Sequence, residues 1–99
     1  MKLITKLAPN QVFVFGSNLM GIHGAGAALY AKLNFGAKQH VGHGFTGLCY
    51  ALPTKLNSTK SLDLFAIKTW IGVFLADAKD HQELAFLLTP VGTGLAGHT

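Results

Sequence analysis

The residues best suited to chemistry gather in two glycine-rich stretches. The first reads Gly16-Ser17-Asn18-Leu19-Met20-Gly21-Ile22-His23-Gly24-Ala25-Gly26-Ala27-Ala28, and the second, Gly92-Thr93-Gly94-Leu95-Ala96-Gly97, stands near the other end of the chain. Small residues where a strand passes into a helix leave main-chain amides open. Amides in a first helical turn, at the positive end of the helix dipole, hold a phosphate without a cationic side chain. The expected chemistry is therefore the cradling of phosphoryl groups. A competing reason for Gly24, Gly26 and Ala27 is close packing of the helix on its sheet. Asn18 also has two readings: a hydrogen bond to a ribose hydroxyl, or a brace for the turn after the strand.

Side chains that move protons are few near these stretches. His23 is the best placed, inside the first loop, where it could activate water, steady a phosphate or only bond the loop backbone. His40, His43, Cys49 and His98 are the other candidates. His40 and His43, three apart with only Cys49 nearby, supply too few ligands for a zinc site, so no metal and no cofactor is expected. Cys49 lies in an apolar run, where a thiol is normally inert packing. All four carboxylates, Asp63, Asp77, Asp80 and Glu83, fall on the second predicted helix or beside it. That leaves the loops without a paired-carboxylate acid and base. Neither loop ends in the Gly-Lys-Ser or Gly-Lys-Thr of a triphosphate loop, and Gly21, Gly24 and Gly26 reverse the spacing of a dinucleotide fingerprint.

The elements that must position these residues are short. The run Val12-Phe13-Val14-Phe15 predicts a strand buried on both faces, and the Ala-rich stretch 25–35 predicts a helix stopped by Gly36. Residues 37–47, rich in Gly and His without periodicity, read as a loop. A second strand is predicted over 48–52, closed by Pro53 and Thr54 because proline cannot donate to a ladder. Ser61 is expected to cap a helix over 62–78, with Leu64, Ile67, Trp70, Ile71, Phe74, Leu75 and Ala78 as its apolar stripe. Trp70 and Phe74 read as core, and Tyr50 as facing either a helix or the pocket. A third strand over 84–88 leads into the second glycine stretch. The order β-α-β-α-β implies a mostly parallel sheet covered on both faces, with ligands beyond the carboxyl ends of its strands. Both loops fall there.

Composition narrows the partners. Ninety-nine residues make one domain, over 1–99, and 49% apolar against 12% charged residues is more core than so short a chain can cover. The expectation is either a homo-oligomer or a domain truncated at its C-terminus, short of a last helix and strand. The net charge of +4 comes from eight Lys and no Arg. Dispersed lysines favour a small anion over a nucleic-acid duplex. One Cys suggests a reducing compartment, and with neither a signal-length apolar run nor a membrane-length one, a cytoplasmic, soluble protein is expected without a membrane partner.

These motifs carry a resemblance. Asn18-Leu19 followed by Gly24-Ala25-Gly26-Ala27-Ala28 resembles the macrodomain pattern in which an Asn precedes a glycine-rich loop entering a helix, and Thr89-Pro90-Val91-Gly92-Thr93-Gly94-Leu95-Ala96-Gly97 is similar to the second macrodomain loop. The segments 13–19, 23–28, 50–55 and 89–97 resemble more closely a set of small, uncharacterised macrodomain-like proteins of bacteria and phages. That likeness spans nearly the whole chain. It implies a three-layer α/β/α fold and an ADP-ribose-like nucleotide as ligand. Asn18 would meet the distal ribose, the amides of Gly24, Ala25, Gly26 and Ala27 one phosphate, and those of Thr93, Gly94, Leu95, Ala96 and Gly97 the other. Ala96 departs from the pattern, standing where an aromatic normally packs on that ribose. Hydrolysis of ADP-ribosyl adducts, with Asn18 and His23 positioning water, is a further implication. Two alternatives stay open: a nucleic-acid or polyphosphate binder using the lysine surplus, and a structural, oligomer-forming remnant with an incomplete pocket.

Overall fold

The computed structural model describes residues 5–88. Its elements are β1 (Gln11–Asn18), α1 (Gly26–Phe35), β2 (Gly44–Thr46), β3 (Cys49–Lys55), α2 (Leu64–Asp80) and β4 (Ala85–Leu88). They build a small α/β protein around a mixed four-stranded sheet in the order β2-β3-β1-β4. Strands β3 and β4 both run parallel to β1, whereas β2 pairs antiparallel with β3. The apolar run in β1 takes the central position because only a strand flanked on both sides and covered on both faces buries every residue. Val12, Phe13, Val14 and Phe15 are all buried.

Side-chain alternation then sorts the core into two halves. Phe13, Phe15, Cys49 and Ala51 meet Ala28, Ala31 and Phe35 of α1. Val12, Val14, Tyr50 and Leu52 meet Phe74 of α2, with Trp70 and Phe86 packed beside them. Thus α1 lies against one face and α2 against the other. Gly36 ends α1 in the left-handed region, at φ 79°, as its position in the sequence suggests.

Three sequence expectations require correction. The stretch 37–47 is not wholly loop: Gly44, Phe45 and Thr46 form β2 on the edge of β3, giving β-α-β-β-α-β rather than β-α-β-α-β. Three residues are too few to show a period, and pairing with β3 supplies what propensity lacks. Second, Pro53 does not close β3, which runs on to Lys55. The Phe13 N–H donates to the Leu48 carbonyl, so even-numbered β3 amides face β1 and odd-numbered ones face β2. Because β2 reaches only to the pairing of Gly44 with Ala51, the missing Pro53 N–H falls where no strand needs it. Third, Ser61 does not cap the second helix. Ser61 bridges to Lys55, and Asp63 caps α2 by accepting from the Ala66 N–H at 2.8 Å.

The apolar stripe of α2 is wider than the surface it covers. Ile67 and Phe74 are buried, yet Leu64, Ile71 and Leu75 are 51%, 38% and 59% exposed. No helix among the described residues is long and apolar enough to cross a membrane.

Candidate anion-binding groove

The loop leaving β1 is shaped from within by Asn18. Its side-chain Nδ2 donates to the Ile22 carbonyl at 2.8 Å while its Oδ1 accepts from the Ile22 N–H at 3.0 Å. The Gly21 N–H closes the same turn onto the Asn18 carbonyl at 2.9 Å. Asn18 is therefore a brace, although one Nδ2 hydrogen and one Oδ1 lone pair remain for another partner. A second clamp comes from outside the loop. Ser17 Oγ donates to the Gly42 carbonyl, and Gly42 lies so close that a Cβ there would stand 2.6 Å from the Asn18 oxygen. Only glycine permits that approach.

Beyond this turn the chain enters α1 with its amide end bare. Ala25, in extended conformation, takes the N-cap position, no side chain caps the helix, and no acidic residue stands in its first turn. The first helical bond runs from the Leu29 N–H to the Ala25 carbonyl at 3.2 Å. The amides of Gly26, Ala27 and Ala28 consequently lack an intrahelical acceptor. Gly26 sits at φ 60°, which accounts for its identity. Gly24 is different. Its φ is not positive, and a Cβ built there meets no atom within 4 Å, as is also true at Gly26. Packing of the helix on the sheet thus explains neither glycine.

What lies over Gly24 is a groove of about 380 Å³. The first-loop residues Gly16, Ser17, Asn18, Gly24, Ala25, Gly26 and Ala27 all line it, brought together at the carboxyl end of β1 and the amino end of α1. Its other wall comes from Thr54 and Lys55 at the end of β3 and from Ser58 in the turn that follows. This wall is hard to foresee from sequence, since residues 55–60 look like a polar connector. The one signal is a lysine following the Pro53-Thr54 pair that closes the predicted strand. Among the described residues, the lining includes no acidic side chain, and Lys55 is its one charged residue.

His23 does not share the groove, although its neighbours Ile22 and Gly24 do. Its ring is fully buried, edge-on to Phe15 at 5.2 Å, with Nε2 3.0 Å from the Lys38 carbonyl. The other nitrogen, Nδ1, is buried and has no hydrogen-bond partner among the described residues. Burial holds the His23 pKa below the ordinary histidine value, against the nearby carbonyls of Lys38 and Val41, which favour the charged form. A neutral imidazole with Nε2–H donating to Lys38 fits these surroundings. Its place is that of a pin between the first loop and residues 38–41, where the His23 main-chain N–H also donates to Gln39 Oε1 at 3.2 Å.

The remaining candidates serve the interior. Cys49 is buried, its thiol pushed up to about 12 by burial. Tyr50 faces the α2 side, where its hydroxyl donates to Asp77 Oδ2 at 2.5 Å. His43 rests on Trp70 with ring centroids 4.7 Å apart, while the His40 N–H donates to the Gly21 carbonyl at 2.7 Å. Among the described residues, no three His, Cys, Asp or Glu side chains converge as metal ligands. Gly92, Thr93, Gly94, Leu95, Ala96, Gly97 and His98 lie outside the described residues.

The groove offers open amides, hydroxyls and one ammonium, a set suited to receiving an anion rather than moving protons. Comparison of the chain with protein-family models, curated proteins and solved structures finds no match.

Proposed function

We propose that the chain binds a phosphorylated small molecule, an ADP-ribose-like nucleotide, in the groove between the ends of β1 and β3 and the start of α1. The observation that carries this reading is the bare first turn of α1, opening on a groove that, among the described residues, is lined by Lys55 and by no carboxylate. A phosphoryl group there would receive main-chain N–H donors and the positive end of the helix dipole. The empty space over Gly24 leaves room for it.

In this reading the sheet, with α1 on one face and α2 on the other, is the core of a three-layer macrodomain-like domain, and the stretch from Gly92 to Gly97 receives the second phosphoryl group. Strand β4 supports that assignment. It runs parallel to β1, with Val14 opposite Leu88, so the chain leaves β4 at the end of the sheet where β1 delivers the first loop. Binding is the activity proposed. Asn18 is committed to Ile22 and His23 is buried beside Phe15, so both act on the shape of the loop.

Calorimetric titration with ADP-ribose, adenosine monophosphate and inorganic pyrophosphate tests the proposal. Gly24→Glu is the informative variant, because it adds bulk and negative charge to the groove at a position free of positive-φ strain. Wild type should bind and the variant should not. Equal binding by both proteins would remove the groove from consideration.

A further inference from the structure

The β1–β3 ladder is regular from the pairing of Phe13 with Cys49 to that of Ser17 with Pro53, and then slips: Asn18 pairs with Lys55, leaving Thr54 as an extra residue. A bulge of this kind re-aims the side chains that follow it. Here it occurs on the lip of the groove. The Lys55 backbone is held on both sides, its carbonyl accepting from the Leu19 N–H at 3.0 Å and the residue bridging to Ser61. The next turn is equally fixed, since Asn57 Oδ1 accepts from the main-chain N–H groups of both Thr59 and Lys60. Ser58, which lines the groove with Lys55, belongs to that turn.

Lys55 is half-buried and forms no ion pair among the described residues. A lysine without an ion partner, on a fixed backbone, lining a groove to which no described acidic residue contributes, favours an anionic occupant and disfavours a cationic one. We propose that Lys55 is the charge-selecting residue of the groove, restricting it to ligands that bring an oxyanion, such as a phosphoryl group, to the β3 wall. The inference rests on the groove being the ligand site. It adds a determinant from β3, remote in sequence from the glycine loop and independent of the helix amides.

The test is calorimetry on the whole chain with ADP-ribose, inorganic pyrophosphate and adenosine, the last as a neutral probe, at two salt concentrations. Wild type is compared with Lys55→Met and Lys55→Arg, with circular dichroism to verify folding. Lys55→Met should weaken both phosphorylated probes about tenfold or more and blunt their salt dependence. Lys55→Arg should keep most of the affinity, and adenosine should change less than twofold in either variant. If wild type binds ADP-ribose and Lys55→Met binds it within twofold and with the same response to salt, charge selection by Lys55 is wrong and the nucleotide reading survives. Lys55-dependent binding of pyrophosphate without binding of ADP-ribose would do the opposite, supporting charge selection and removing the nucleotide. Binding of neither phosphorylated probe by wild type overturns both.

Discussion

Asn18 and Lys55 face each other across the bulge that ends the β1–β3 ladder, and each holds one side of the groove in place. Asn18 does so with its side chain, through the paired bonds to Ile22. Lys55 does so with its main chain, through the carbonyl that receives the Leu19 N–H. The first loop is thereby fixed from inside and from the neighbouring strand. The consequences can be measured.

Asn18→Ala removes both bonds to Ile22, each of them part-buried, and leaves the Ile22 main chain without those partners. A loss of about 1 to 3 kcal/mol in unfolding free energy is expected. Urea denaturation reports it, and Asn18→Asp, which keeps only the acceptor, should fall between wild type and alanine.

The folded state keeps His23 neutral, because burial lowers its pKa from the ordinary 6.5. On acidification the unfolded chain takes up this proton before the folded one does. Stability is therefore retained above about pH 6.5 and declines as pH drops below it. Denaturant midpoints at pH 7.5 and 5.0 should differ, with the difference reduced in His23→Phe. An unchanged pH dependence in the variant would assign the effect to other groups.

Tyr50 shifts in the opposite direction. Burial, reinforced by the hydrogen bond to Asp77 and by its charge, raises the pKa of the phenol above the usual 10. The fold thus favours the neutral phenol, and stability present below pH 10 should be lost as pH rises beyond it. Absorbance titration of the tyrosinate band should show Tyr50 ionising above pH 10. Tyr50→Phe should remove that step and cost about 1 to 3 kcal/mol by stripping Asp77 of its donor.

Cys49 should be silent in the native protein. With its thiol pushed up to about 12 and its side chain enclosed, a disulfide reagent at pH 8 should label it only at the rate of opening or unfolding. Rapid labelling under native conditions would contradict the packing of β3 on α1.

Asp63→Ala should shorten α2 from its amino end and lower stability by about 1 kcal/mol, whereas Asp63→Asn should be nearly neutral. Thermal melts would compare them with Ser61→Ala, for which the bridge to Lys55 predicts little effect on the helix.

Local chemistry made a large part of this molecule legible. The unbroken apolar run of β1 could only be a central strand, Gly36 could readily stop α1, and a glycine-rich passage between them had to expose amides. Those are properties of neighbouring residues, and neighbours are what a sequence displays. Of the first-loop residues singled out as candidates, Gly16, Ser17, Asn18, Gly24, Ala25, Gly26 and Ala27 line one groove, and His23 does not.

Contacts between distant residues decided the rest. Strand β2 exists because β3 offers it an edge, and Pro53 is tolerated in β3 because β2 stops short of it. His23 was turned inward by Phe15 and the Lys38 carbonyl, and Lys55 was delivered to the groove by a one-residue slip against β1. Pairing register and burial belong to no single segment. They arise when two stretches of chain compete for the same neighbours, and only the folded arrangement records which of them succeeded.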